Sequence, residues 1–186
     1  FLNYLIPNDA TLIAVAGTAG KSTTVGLLGL IYEEAGLNPT VYNGAPVLNW
    51  INKTEIGNVR LGNKKLWIIE VDESDKSLLQ FNPTHTLLTN IGKDHYNVSE
   101  LIDIFDQFKK QTKKNFINLN KLECSSHNVP KNNLIGIHNE TNVRNAVYFS
   151  KKMDIPEKTI NKAVFNFKGI ERRLQKLGNF KGMDVY

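Results

Sequence analysis

Apolar residues along this chain fall into short β-branched runs that alternate with longer stretches of helical spacing. Residues 11–16, Thr-Leu-Ile-Ala-Val-Ala, form an unbroken apolar run with the length of a buried strand. Val25, Leu27, Leu28, Leu30 and Ile31 then supply the apolar surface of a helix that Gly36 can end. Residues 40–42 predict a short strand running into Asn43-Gly44, and residues 55–60 and 65–71 predict a hairpin turning at Gly62-Asn63. The second arm is apolar on both faces from Leu66 to Val71, the mark of a central strand. Asp75 can cap a short helix through Leu79. Residues 86–91 read as another buried strand, after which Ser99 is expected to cap an amphipathic helix carrying Leu101, Ile102, Ile104, Phe105 and Phe108. Further strands are expected at 115–119 and 133–138, and a short helix at 121–126. Helices at about 140–152 and 157–165 follow, the second opening near Pro156. The tail predicts a second hairpin, with arms at about 173–178 and 183–186 around 179–182.

Strands alternating with helices imply an α/β domain built on a doubly wound, mainly parallel sheet, with a small antiparallel hairpin element. Residues 1–186 are assigned to that one domain. In such sheets ligands bind beyond the carboxyl ends of the strands. That rule gathers three loops on one edge: residues 17–24, 70–75 and 90–95.

The first of these loops carries the most chemistry. Gly17-Thr18-Ala19-Gly20-Lys21-Ser22-Thr23-Thr24 leaves a predicted strand and opens a predicted helix. Unpaired backbone N–H groups and the positive helix end therefore face one anion, as in a P-loop. Lys21 can reach terminal phosphates, and the Ser22 hydroxyl can ligate magnesium. The full P-loop pattern asks for a glycine five residues before Gly20, where Val15 stands, so the cradle is the shorter G-T-x-G-K-S-T. Glu70, closing a buried strand, is the natural carboxylate for a metal, although a strand-end acid can equally be a solvated one. Asp72, Glu73 and Asp75 crowd the same loop, and so many acids repel one another unless a cation or base sits among them. His95 follows an equivalent strand. A lone histidine is ordinarily structural, and the shared edge is what makes this one a candidate; His85, His127 and His138 have no comparable setting.

Composition narrows the partners. Net charge is +5, yet only four of the 23 basic residues are arginines, and Lys109, Lys110, Lys113 and Lys114 fall at the end of a predicted helix, where cations complement the dipole. Without interleaved aromatics they read as a solvated face, not a nucleic-acid surface. No stretch is long or apolar enough to span a membrane, and no signal peptide opens the chain. Cys124 is the single cysteine, so no internal disulfide forms, which suits a reducing cytoplasmic setting.

In order and spacing, Gly-Thr-x-Gly-Lys-Ser-Thr at 17–23, Glu70-Val-Asp-Glu-Ser-Asp75 and Thr89-Asn-Ile-x-x-Asp-His95 resemble the central ATP-binding domain of the Mur ligases, in the alanine-adding branch of that family. Thr141-Asn142-Val143-Arg144-Asn145-Ala146 is similar to the family's His-Asn-x-x-Asn-Ala helix start, with threonine replacing histidine. Gly169-Ile-Glu-Arg-Arg173 resembles the segment that closes the domain. The resemblance implies ATP-dependent amide ligation in peptidoglycan synthesis. A substrate carboxylate attacks the γ-phosphate to give an acyl phosphate and ADP, and an amine then displaces phosphate. ATP and Mg2+ are the implied cofactors, with UDP-N-acetylmuramate and L-alanine as substrates of the full-length enzyme. By position, Lys21 would hold the β- and γ-phosphates, Ser22 and Glu70 a first magnesium, and His95 with Glu70 a second. Asn142 and Asn145 would contact the adenine and Arg173 the nucleotide side of the cleft. Relatives that add later amino acids use a carbamylated lysine shortly after the histidine, and residues 97–101 offer none.

Three other readings share parts of this pattern. A muropeptide-recycling ligase would carry the same motifs. Folylpolyglutamate and cyanophycin synthetases share the fold and cradle, but Glu-Val-Asp-Glu-Ser-Asp speaks against both. A degenerate nucleotide-binding scaffold would have no need of the Lys21, Glu70 and His95 set. The family also has an amino-terminal domain for the UDP-sugar and a carboxy-terminal domain that closes over ATP. Because the chain starts at Phe1 and stops in a predicted strand, the expectation is an excised central domain that binds nucleotide weakly and does not ligate alone.

Overall fold

A computed structural model describes residues 1–92, 96–119, 128–175 and 178–185. Its strands are β1 (Thr11–Ala16), β2 (Pro39–Tyr42), β3 (Val59–Arg60), β4 (Asn63–Glu70), β5 (His85–Leu88) and β6 (Asn115–Asn118), joined in one sheet in the order β3-β2-β4-β1-β5-β6. All neighbours are parallel except the edge pair β2–β3. β1 lies between β4 and β5, with Ile13 opposite both Ile68 and His85. The helices are α1 (Leu2–Leu5), α2 (Lys21–Glu34), α3 (Val98–Gln111), α4 (Ile137–Lys152) and α5 (Glu157–Asn166). Among the described residues, no helix is long and apolar enough to cross a membrane.

The alternation of side chains along β1 divides the interior in two. Ile13 and Val15 point into a core shared with α2, α4 and α5, where Leu28, Ile31, Val143, Val147 and Ile160 are buried. Leu12, Ala14 and Ala16 point into the opposite core, filled from α3 by Leu101, Ile104, Phe105 and Phe108. Helices thus cover both faces, which is the doubly wound α/β arrangement expected. Phe105 and Phe108 are fully buried, and truncating either to alanine costs about 3–5 kcal/mol. α2 is buried on nearly every side because it lies between the sheet and α4 and α5, not on an outer surface.

Several local expectations are corrected. β3 and β4 are not a hairpin: β2 separates them, pairing antiparallel with β3 and parallel with β4. The chain crosses the start of β2 at Gly62, where a Cβ would stand 2.3 Å from the Asn38 carbonyl oxygen, so only a glycine passes there. α3 is capped by Asn97, not Ser99, in a capping box whose Glu100 carboxylate accepts from the Asn97 N–H at 3.2 Å. The short helix after Asp75 is a single 3-10 turn, Ser77–Gln80, and Asp75 accepts from the Ser77 N–H at 2.8 Å. No strand forms at 133–138. Asn132 instead accepts the Leu134 N–H in a local turn, and α4 opens at Ile137. The helix expected at 121–126 lies outside the described residues. The tail hairpin is shorter than predicted: β7 (Gly178–Phe180) and β8 (Met183–Val185) pair antiparallel around Lys181-Gly182.

The connection from β2 to β3 closes on itself. Asn43 N–H donates to the Asn58 carbonyl at 2.9 Å and Val47 N–H to that of Gly57 at 3.0 Å. Residues 51–56 at its tip are exposed.

Candidate functional site

The turn between β1 and α2 is possible because Gly17 and Gly20 adopt left-handed backbone, with φ of 126° and 81°. At Gly20 the space is also missing: a Cβ would lie 2.2 Å from Asn142 Oδ1, so α4 closes directly over the turn. The loop after β5 braces the other side. Thr18 N–H donates to the Asn90 carbonyl at 3.3 Å, and both Thr18 Oγ1 and Ala19 N–H donate to Asn90 Oδ1, at 2.8 and 2.9 Å. Gly92 N–H donates to Thr18 Oγ1 at 3.0 Å, and Thr89 Oγ1 donates to the Ala19 carbonyl at 2.7 Å. These bonds commit the amides of Thr18 and Ala19. No side chain caps the amino end of α2, so its first amides and the positive helix end are turned to the adjoining cavity.

The strand β4 supplies the charge on the opposite side. Lys21 Nζ donates to both carboxylate oxygens of Glu73, at 2.9 and 3.2 Å, and lies 3.9 Å from Asp72 Oδ1. Glu73 is only 2% exposed, so this ammonium neutralises an otherwise buried charge. Ser22 Oγ donates to Glu70 Oε1 at 3.2 Å, while Gly44 N–H donates to Glu70 Oε2 at 2.8 Å. Asn43 Nδ2 reaches the Ser22 carbonyl at 3.2 Å. Residues 18–22 with Glu70, Asp72, Glu73 and Arg173 line a cavity of about 230 Å³ at the carboxyl edge of the parallel strands.

The structure therefore brings Gly17, Thr18, Ala19, Gly20, Lys21, Ser22, Glu70 and Arg173 together. Thr23 is buried as the third residue of α2. Asn142 and Asn145 are buried on α4, and the first of them covers Gly20. His95 lies outside the described residues. Sequence reasoning missed three contributors: Glu73 as the partner of Lys21, Asn90 as the brace of the turn, and Asn43-Gly44 as the support of Glu70. The signal for the last was an Asn-Gly pair ending a strand on the same edge.

Among the described residues no three His, Cys, Asp or Glu side chains converge on a metal position. The pair that sequence pointed to, the Ser22 hydroxyl and the Glu70 carboxylate, presents hard oxygens 3.2 Å apart. That set suits a magnesium ion that takes its other ligands from phosphate and water.

No family model matches the chain. The UDP-N-acetylmuramate–L-alanine ligase of Caldicellulosiruptor bescii is 30% identical to it over 236 aligned residues, spanning 100% of this chain and 51% of that protein. The ligase of the same name from Microcystis aeruginosa is 45% identical over 107 residues, 55% of this chain and 21% of its own. The chain belongs to the Mur ligase family. The crystal structure of UDP-N-acetylmuramate–alanine ligase from Thermotoga maritima has the same fold, with a TM-score of 0.77 at 20% identity, covering 92% of this chain and 48% of that one. This Mur ligase chain spans about half the length of the Caldicellulosiruptor relative.

Proposed function

We propose that this chain is the ATP-binding domain of a cytoplasmic, magnesium-dependent amide ligase that joins L-alanine to UDP-N-acetylmuramate in peptidoglycan synthesis. The observation that carries the reading is the meeting of Lys21, Ser22 and Glu70 in one cavity beside an uncapped helix end. The amides opening α2 receive the phosphates, and Lys21 exchanges its Glu73 partner for the β- and γ-phosphates. Ser22 and Glu70 would hold magnesium and His95 would serve a second ion; bound there, the cations would supply neutralisation of charge on the oxygens of an in-line displacement. Asn142 and Asn145 face the adenine, and Arg173 closes the nucleotide side of the cleft. The substrate carboxylate then takes the γ-phosphoryl group, and the amino group of alanine displaces phosphate from the acyl phosphate. This chain binds and orients the nucleotide for both steps.

The test is ADP release by the full-length protein with ATP, Mg2+, UDP-N-acetylmuramate and L-alanine. Release that requires all four components is expected. Release with UDP-N-acetylmuramate and a short L-alanyl peptide in place of alanine would reassign the protein to peptide recycling, and no release with either amine would overturn the ligase reading. The 186 residues alone are expected to bind magnesium nucleotide weakly and to release no ADP.

A further inference from the structure

We propose that Gly44 is a positioning residue that aims the Glu70 carboxylate at the magnesium site, an inference that rests on the function proposed above. The two oxygens of Glu70 have different partners: Oε2 accepts from the Gly44 N–H at 2.8 Å, and Oε1 faces the Ser22 hydroxyl at 3.2 Å. A glutamate at a strand end has three rotatable side-chain bonds. Fixing one oxygen on a backbone amide leaves the other pointing toward Ser22, the arrangement by which outer partners orient a metal ligand.

The amide that does this is itself anchored. Asn43 is 1% exposed, its N–H donates to the Asn58 carbonyl at 2.9 Å, and its side-chain amide reaches the Ser22 carbonyl at 3.2 Å. The Asn-Gly turn therefore ties to both members of the proposed magnesium pair: Ser22 through its carbonyl, Glu70 through its carboxylate. Residue 44 must also lack a side chain. A Cβ there would stand 2.7 Å from Glu70 Oε2, 2.9 Å from Cδ and 3.0 Å from Oε1. The φ of Gly44 lies outside the left-handed region, so alanine adds no left-handed backbone strain, and the atoms its methyl meets first are those of the carboxylate.

The experiment measures binding of a fluorescent ATP analogue to the full-length protein as Mg2+ is titrated, alongside thermal unfolding. Gly44→Ala is expected to raise the Mg2+ concentration for half-maximal enhancement by about 10-fold or more, leaving metal-free analogue binding and the unfolding temperature unchanged. Glu70→Ala is expected to abolish the enhancement. An unchanged Mg2+ midpoint in Gly44→Ala, with the enhancement lost in Glu70→Ala, overturns the positioning role. An enhancement that survives Glu70→Ala instead overturns the magnesium reading of the site. If Gly44→Ala does not fold, Asn43→Ala slackens the same turn without adding a methyl. A smaller rise in the midpoint supports the proposal, and none overturns it.

Discussion

The two flanks of the glycine turn are built from opposite materials. Toward β5, Thr18, Ala19, Thr89, Asn90 and Gly92 are joined by neutral hydrogen bonds. Toward β4, Lys21, Ser22, Glu70 and Glu73 make contacts in which at least one partner is an ion, save for the backbone support from Asn43. The neutral flank has no charge for salt to screen. The charged flank sets Glu70, Asp72 and Glu73 against Lys21 and Arg173 in one cavity, an excess of negative charge that a divalent cation would correct. Shape is held on one side and chemistry is held on the other.

Substitutions on each flank should separate those roles. The largest effect is expected at the proposed metal positions. Glu70→Ala or His95→Ala in the full-length protein should lower turnover by orders of magnitude with folding intact by circular dichroism, and near-normal turnover in either removes that residue from the assignment. Next is Lys21→Ala, which should abolish nucleotide binding and also strand Glu73, lowering stability in urea by about 3 kcal/mol. Adding Glu73→Gln to that variant should restore most of the stability and none of the binding; recovery of both would make Lys21 purely structural. On the neutral flank, Asn90→Ala removes the acceptor of Thr18 and Ala19 and should cost about 1–2 kcal/mol of stability. Its loss of nucleotide affinity should stay constant between low and high salt, whereas a salt-dependent loss would place Asn90 with the charged flank.

The smallest effect concerns β5 itself. His85 is buried, 3.1 Å from the Asn115 amide, and burial, aided by the Lys114 charge, pushes its pKa below the usual 6.5. The neutral ring is favoured in the fold, so as pH falls below 6.5 the unfolded chain takes up the proton first. This contribution to stability is complete above that pH and is lost as pH drops through the folded value. His85→Gln should flatten the fall in urea midpoint on the acid side of neutrality, and an unchanged slope would locate the titrating group elsewhere.

The parallel strands and the glycine turn were legible because their signals are local. An unbroken apolar run buried on both faces, as in β1 or β4, can be read directly, and so can a lysine at the head of a helix. The edge was not legible in the same way. Residues 55–71 have the period and turn residues of a hairpin, and it is β2, lying between the two arms, that takes the place of that pairing. Asn97 and Ser99 are both competent caps, and the reciprocal bond from Glu100 decides between them. In the site, Lys21 and Glu70 announced themselves by type and place. Gly44 did not, because its contribution is a backbone amide and an absent side chain.

The 43–58 connection has a practical use. Its neck is stitched at Asn43–Asn58 and Val47–Gly57, so a closed stem stands between its outermost residues and the cradle. A dye or a short epitope grafted between Lys53 and Thr54 will ride outside the nucleotide cavity while staying on the same peptide as Gly44. Such a label marks the domain without touching the residues of the cradle.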